Sequence, residues 1–183
     1  MDVQEALLTR RTVHMYEDQP VDETAVDRAV AAAHGAPNHK LSFPWRFVRV
    51  GKQTRAKLLE NILKDMEDAG KLNDAKAKLT TEKIMNPAFL VCVSQIRSDD
   101  DFRSKEDYAA CACAIQNFML SLHGEGIASK WGTGDPTRDP RTYELFGIDP
   151  SVEEIIGFVW VGVPKMVPSP KRPEIETVYR TLP

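Results

Sequence analysis

The 183-residue sequence predicts an α/β or α+β sandwich, in which helices cover both faces of a central β-sheet. The first observation behind this prediction is that a helical segment separates each predicted strand from the next one along the chain. The second is that the strand segments 45–50, 88–93 and 155–163 carry apolar side chains at both odd and even positions. A strand that is apolar on both faces belongs in a sheet that is covered on both sides.

The N-terminal half of the chain contains several predicted helices. A short amphipathic segment spans residues 2–9, and Asp22 is a suitable N-cap for a helix that continues to about His34. Residues 53–85 are rich in Lys, Glu, Leu and Ala and are interrupted at Gly70. This composition predicts two helices with mostly solvated faces, which form a mobile outer excursion from the fold.

The C-terminal half alternates strands and helices. The short apolar run at 88–93 is predicted to lie centrally in the sheet. Ser104, with Asp107 three residues later, resembles a capping box and predicts a helix from there to about His123. Small residues at 109–114 let neighbours approach this helix closely, which suits a subunit core or a subunit interface, and we prefer the interface. The remaining predicted elements are a strand at 127–131, a helix at 140–146 and a strand at 155–163.

Composition limits the class of protein. The length suits one domain spanning residues 1–183, large enough to bury a core without disulfides or a metal. The formal net charge is -3 and both signs are mixed along the chain, which argues against nucleic-acid binding. Neither a membrane-spanning stretch nor a signal-peptide pattern occurs. The cysteines, Cys92, Cys111 and Cys113, are predicted to be buried thiols in a reducing compartment, so we expect a cytoplasmic protein.

Two pairs of basic residues are candidates for binding a phosphate group. Arg10 and Arg11 precede the hydroxyl of Thr12, and guanidinium groups donate forked hydrogen bonds that phosphate oxygens accept in pairs. Lys171 and Arg172 form a second pair in a proline-stiffened tail, which presents their side chains at low entropic cost. The two pairs can meet on one phosphate. For each pair the alternative is ordinary solvated surface charge.

Other signatures of chemistry are weak or absent. Gly132 and Gly134 follow a predicted strand, where exposed backbone amides can donate to an electron-rich ligand atom, and a plain turn is the alternative. The chain has no classical dinucleotide-binding fingerprint. Its histidines lack the spacing of a zinc site. Cys111 and Cys113 point about 200° apart on a helix, which favours packing over dithiol chemistry.

Several segments resemble, in their order, the flavin-dependent nitroreductase family, and most of all its short bacterial branch. They are spread over nearly the whole chain, and their ordered occurrence is more specific than any one of them. The segments are RRT at 10–12, APNH at 36–39 leading into PWRF at 44–47, GIASKWGTG at 126–134, GFVWVGVP at 157–164 and KRP at 171–173.

This resemblance implies an α+β fold with a central, mostly antiparallel sheet flanked by helices. It further implies an intertwined homodimer that holds two FMN molecules at the subunit interface. By matching position, Arg10, Arg11 and Thr12 would hold the phosphate and ribityl chain of FMN. Lys171 and Arg172 would close over the phosphate.

The resemblance also assigns residues to the flavin ring. Asn38 and His39 would reach the flavin from the partner subunit. Trp131, Gly132 and Thr133 would lie against the isoalloxazine, with a backbone amide near N5. The sequence identifies no residue for the N1 and O2 edge of the ring, where negative charge grows on reduction.

The function implied by the resemblance is that of an FMN-dependent oxidoreductase. Hydride from NADH or NADPH would pass through the flavin, in a ping-pong cycle, to a nitroaromatic, a quinone or a similar small planar acceptor. No side chain is assigned as acid, base or nucleophile, because the flavin carries the redox chemistry. Residues 53–85 show no clear equivalent of the Asn and Lys that contact the ring in larger nitroreductases. The alternatives are a flavin-binding or flavin-sequestering protein without NAD(P)H turnover, and an interaction domain whose basic pairs are solvated.

Overall fold

The computed structural model describes residues 1–183 and has a four-stranded sheet at its centre. All three neighbouring strand pairs are antiparallel, in the spatial order β1-β2-β4-β3. All but the first residue of the apolar run at 88–93 lies within β2, which is an inner strand as predicted. The strands are β1 (Trp45–Val50), β2 (Phe89–Ile96), β3 (Ala128–Gly132) and β4 (Glu153–Gly162).

Six α-helices accompany the sheet, and none of them is both long and apolar enough to cross a membrane. The predicted N-cap of the second helix is confirmed, because the Asp22 carboxylate accepts a hydrogen bond from the Thr24 amide. The break in the 53–85 region is also confirmed at Gly70, whose φ of 64° suits glycine. The helices are α1 (Val3–Thr9), α2 (Glu23–His34), α3 (Lys52–Asp68), α4 (Asp74–Met85), α5 (Asp101–Gly124) and α6 (Pro140–Phe146).

Helices cover both faces of the sheet, as the strand patterns predict. Along β2 the side chains alternate between two cores, so that Leu90 and Cys92 enter one and Val91 and Val93 enter the other. The larger core lies between the sheet and helices α2 and α5, and the smaller one includes residues of α3, α4 and α6. Leu58 of α3 is 1% exposed, so the first helix of the 53–85 region is less solvated than expected.

The predicted start of α5 at Ser104 is wrong. The helix begins one turn earlier, with Asp100 as its N-cap, because the Asp100 carboxylate accepts hydrogen bonds from the amides of Phe102 and Arg103. A cap that satisfies two free amides at once is a strong helix start. Ser104 instead lies inside the first turns, where its side chain contacts Gln95 of β2.

One of the three cysteines is not buried as expected. Cys92 and Cys111 lie in the core, but Cys113 is exposed. The reason is the helical geometry itself: with Cys111 facing the sheet, a residue two positions later faces outward. Burial, and then the Asp107 carboxylate, raise the pKa of Cys111 to about 12. Tyr108 of the same helix is also 45% exposed.

Candidate functional site

The segment that follows α1 runs along the edge of β3 and brings Arg10 next to Ser129. Thr12 pairs with Ser129 in a parallel bridge, and the Val13 amide donates to the Ser129 carbonyl at 3.2 Å. Because β3 is an edge strand, its outer hydrogen-bonding groups are available to this segment. The backbone that carries Arg10 is therefore held against β3 by pairing two residues away.

Arg10 presents buried hydrogen-bond donors for which the protein supplies no acceptor. Its Nε and Nη1 atoms are both inaccessible to solvent and unpartnered, and so is the hydroxyl of Ser129. Arg10 and Ser129 line a cavity of about 140 Å³, together with Arg11 and His123. An unsatisfied buried donor costs free energy, so this cavity suits a ligand with several acceptor oxygens.

The charges nearest to Arg10 are positive. Burial lowers the pKa of Arg10, and the guanidinium groups of Arg172 and Arg11 lower it further. None of these three residues forms an ion pair with a carboxylate. Three cations without a counter-charge repel one another, and a dianion among them would remove that cost. The structure thus brings the N-terminal pair and Arg172 of the tail together, while Lys171 and Thr12 are exposed.

Arg11 and His123 form the rest of this basic region. Arg11 Nη1 donates to the carbonyl oxygens of Leu8 at 2.6 Å and Arg10 at 2.9 Å. These bonds supply donors for carbonyl groups at the C-terminal end of α1. His123 Nε2 lies 2.9 Å from the Thr9 hydroxyl. Burial, Arg10 and Arg11 lower the pKa of His123, although Glu5 acts in the opposite direction. Sequence reasoning missed His123 and Ser129, because only the tertiary fold brings them to Arg10.

The predicted ring-contacting residues lie at the end of β3. The Trp131 indole donates to the Ile156 carbonyl at 3.2 Å and covers Gly157 on β4. A Cβ atom at Gly157 would lie 2.0 Å from the indole nitrogen, so only glycine admits the indole in this position. Gly132 is the last residue of β3, and Thr133, which follows it, is exposed.

A second basic cluster lies on the opposite face of β3. Lys130 alternates with Ser129 and Trp131 along the strand, so its side chain points the other way. Burial lowers the pKa of Lys130, and Lys83 of α4 lowers it further. Burial, Lys130 and Lys83 likewise lower the pKa of His14.

The sequence indicates one lysine of this second cluster but not the other. Lys130 is detectable, because a lysine inside a strand between half-buried and buried neighbours is unusual. Lys83 is not, since it is one of many lysines in α3 and α4. It nevertheless supplies a cation from the 53–85 region, where the sequence shows no clear equivalent of a ring-contacting lysine.

Asn38 and His39 lie far from Arg10 within one subunit. Their turn contacts Asp107 in the N-terminal half of α5, whereas Arg10 lies beside His123 near the C-terminal end of that helix. The two helix positions differ by 16 residues (123 − 107), or roughly 24 Å at 1.5 Å per residue. A single chain therefore does not bring these two groups of predicted site residues together.

The Asn38 side chain is hydrogen-bonded within its own turn. Its Oδ1 accepts from the Phe43 amide at 2.7 Å, and its Nδ2 donates to the Ser42 hydroxyl at 3.0 Å. His39 is exposed at the tip of the turn, next to Lys40. Asn38 thus has a role in shaping the turn, and His39 is the freer of the two to contact another molecule.

A larger cavity, of about 530 Å³, lies elsewhere, between α3 and the start of α6. Three of the charged residues that line it, Asp65, Asp139 and Arg141, are paired with one another. Arg141 donates to Asp139 and, at 2.6 Å, to the Asp65 carboxylate, so these contacts tie α6 to α3. No cluster of three or more His, Cys, Asp or Glu side chains in the protein has an arrangement that would hold a metal ion.

Comparison with known proteins identifies the fold. The model of the nitroreductase family matches residues 7–163, a range that contains the Arg10 segment, all four strands and α5. The chain belongs to the nitroreductase family. Lys171 and Arg172 lie outside the matched range.

Individual relatives agree with this assignment. The Bacillus subtilis strain 168 protein named "Putative NAD(P)H nitroreductase YfhC" is 27% identical over 179 residues, which cover 93% of this chain and 88% of that protein. The crystal structure of a nitroreductase-like family protein from Bacillus cereus has a TM-score of 0.86 at 23% identity and covers 100% of this chain and 96% of its own. A Desulfovibrio desulfuricans structure, described as "a putative nitroreductase in complex with fmn", has a TM-score of 0.77 at 19% identity, with coverage of 100% and 99%. The predicted nitroreductase-like α+β fold is confirmed.

Proposed function

We propose that this protein is an FMN-dependent oxidoreductase that uses NADH or NADPH to reduce a small planar acceptor, such as a nitroaromatic or a quinone. The observation that carries the proposal is the guanidinium of Arg10, whose Nε and Nη1 atoms are buried and unpartnered, with two further guanidinium groups and a free serine hydroxyl beside it. Membership of the nitroreductase family supports the reaction class. The names of the relatives, which include NAD(P)H and FMN, support the electron donor and the cofactor.

The cavity beside Arg10 fits the phosphate group of FMN. A phosphate monoester carries close to two negative charges and three strong acceptor oxygens. Arg10, Arg11 and Arg172 would balance that charge, and the Ser129 hydroxyl would add a neutral donor. Lys171, adjacent to Arg172 on the exposed tail, would close over the phosphate from outside. Thr12, exposed beside β3, would bind the phosphate or the ribityl chain.

Residues that would meet the flavin ring lie at the other end of β3. Trp131 is held against β4, and Gly132 and Thr133 would present backbone amides to the ring. When bound, FMN would supply the redox chemistry, taking hydride from the nicotinamide and giving it to the acceptor. Positive charge near the ring stabilises its electron-rich reduced form, and Lys83 and Lys130 of the second basic cluster would provide that charge.

A homodimer would complete the site. The outward face of α5 exposes Phe102 by 72% and Tyr108 by 45%, and large apolar side chains of the tail are exposed as well. Exposed apolar surface of this kind marks an interaction site. If two copies pair their α5 helices in antiparallel fashion, the N-terminal end of one helix lies beside the C-terminal end of the other. His39 of one subunit would then lie near Arg10 of its partner.

The visible absorption spectrum of the purified protein tests this proposal, measured before and after anaerobic addition of NADPH and then NADH. Flavin bands that bleach are the expected result. Bands that persist with both donors would favour a flavin-binding protein without turnover. A colourless protein that takes up no added FMN would refute the proposal and favour an interaction domain.

The role of the second basic cluster has its own test. Lys83→Met removes a cation near the proposed ring, whereas Lys78→Met removes an exposed cation from the same helix. We expect Lys83→Met to lower the reduction potential of bound FMN by roughly 20–40 mV, equivalent to about 1–2 kcal/mol for a two-electron couple. Equal potentials in the two variants would place the ring away from Lys83.

A further inference from the structure

The turn between α2 and β1 has a strained backbone. Lys40, Leu41 and Phe43 have φ angles of 56°, 53° and 45°, in the left-handed region that favours glycine. The side chains of all three residues are exposed. Phe43 stacks on the ring of His34, with the ring centres 5.3 Å apart, and further contacts hold the rest of the turn in shape.

A chain of side-chain hydrogen bonds supplies those contacts. The Asn38 amide group bridges the turn, accepting from the Phe43 N–H at 2.7 Å and donating to the Ser42 hydroxyl at 3.0 Å. The Ser42 hydroxyl in turn donates to Asp107 Oδ1 at 2.7 Å. Arg46 donates to the Phe43 carbonyl at 3.0 Å from the other side. The strained turn is thus anchored to α5 through Ser42 and Asp107.

Asp107 is the buried end of this chain. Only 6% of the residue is exposed, and its nearest cation is Arg103, at 3.5 Å on the preceding helical turn. Burying a carboxylate is costly, and an apolar side chain would pack here without that cost. A charged acceptor, however, binds the Ser42 hydroxyl more strongly than a neutral one would. A carboxylate at position 107 therefore contributes more to the geometry of the turn than to the stability of the core.

We propose that Asp107 is a positioning residue, which fixes the turn through Ser42 and Asn38 so that His39 and Lys40 meet the FMN of the partner subunit. This inference rests on the proposed function. It also changes the role expected for Asn38, because both ends of its side-chain amide are used within the turn. His39 and Lys40, exposed at the tip, make the contact, and Asn38 keeps them in place.

Matched substitutions test the positioning chain. The dissociation constant for FMN is measured by quenching of flavin fluorescence on the folded dimer. We expect Asp107→Ala and Ser42→Ala each to weaken FMN binding about ten-fold, which corresponds to about 1.4 kcal/mol. Asp107→Asn keeps a neutral acceptor oxygen for the Ser42 hydroxyl and should recover part of the affinity. Asp101→Ala, which removes an exposed carboxylate from the same helix, is the control.

A double-mutant cycle adds a second criterion. Ser42→Ala and Asp107→Ala break the same chain, so the double variant should bind FMN no more weakly than either single variant. Additive losses would overturn the inference, since the two residues would then act independently. If Asp107→Ala does not fold, the FMN affinity of Ser42→Ala decides the test, because that variant loses only a single hydroxyl.

Two further outcomes separate this inference from the proposed function. A network with a purely structural role would lower the urea midpoint of the flavin-free protein and leave FMN affinity unchanged, which would overturn the inference alone. Wild-type protein that takes up no FMN would overturn the proposed function and the inference with it. We expect the Asp107→Ala and Ser42→Ala variants to lose more free energy of FMN binding than free energy of unfolding.

Discussion

Replacing Arg10 by methionine tests the proposed phosphate site directly. The substitution removes the guanidinium group and keeps much of the aliphatic length. Arg10 Nε and Nη1 are two buried donors that have no acceptor in the protein. If a phosphate accepts from both, each charge-assisted bond contributes about 1.5–3 kcal/mol, so the variant loses about 3–6 kcal/mol of binding free energy. We therefore expect FMN affinity to fall by roughly two to four orders of magnitude.

The flavin-free protein should respond in the opposite direction. Burial, Arg172 and Arg11 all lower the pKa of Arg10, which means that each of them disfavours the charged side chain in the folded state. Removing the charge removes these costs. Urea unfolding should therefore show a flavin-free Arg10→Met variant that is at least as stable as wild type. Weak FMN binding together with undiminished stability excludes misfolding as the cause.

Riboflavin and a second charge variant complete the assay. Riboflavin lacks the phosphate group, so its affinity should hardly change in Arg10→Met, and the preference for FMN over riboflavin should shrink. Arg97→Gln removes one positive charge from an exposed ion pair with Glu154 and serves as the matched control. Unchanged FMN affinity in Arg10→Met, or an equal loss for riboflavin, would refute the assignment of Arg10 to the phosphate.

Three more predictions concern pH, packing and assembly. Because the pKa values of His14 and His123 are lowered in the folded state, the unfolded chain binds more protons below the usual histidine pKa of about 6.5. The free energy of unfolding of the flavin-free protein should therefore decrease as the pH falls through that value, and His123→Gln should flatten the profile; an identical profile in the variant would contradict this. Gly157→Ala places a Cβ atom against an indole and should lower the unfolding free energy by about 1–3 kcal/mol in urea titrations, whereas Gly124→Ala, with no atom near the new Cβ, should not. Cys113 should react with a maleimide in dilute, monomeric protein and be protected in the dimer; labelling that is independent of concentration would place the interface elsewhere.

The order of the elements could be predicted from the sequence because the signals are local. The inner strands β2 and β4 are apolar on both faces, and Asp22 and Gly70 mark helix boundaries by their own chemistry. Strand pairing is different, since nothing near β3 in the sequence indicates that it pairs with β4. The start of α5 differs from the prediction because Ser104 and Asp107 resemble a capping box, whereas Asp100 caps the amides of Phe102 and Arg103 one turn earlier.

The candidate site was predictable only where its residues are adjacent in sequence. Arg10 and Arg11 stand out as a pair, and Arg172 was recognised as part of another pair. Ser129 and Lys83 gave no comparable signal, because each becomes a candidate only through neighbours supplied by distant segments. A serine in a strand is ordinary, and so is a lysine on a charged helix. Only the fold brings Ser129 beside Arg10 and Lys83 beside His14.

The length of α5 determines how defects in two subunits would combine. The helix separates the Arg10 region from the 38–43 turn, so the proposed antiparallel dimer would build each site from different parts of two chains. In a mixed dimer of an Arg10→Met chain and a Ser42→Ala chain, one site carries both substitutions and the other carries neither. Cells that express both defective alleles would thus regain native sites that neither allele forms alone. A monomeric enzyme with the same residues offers no such complementation.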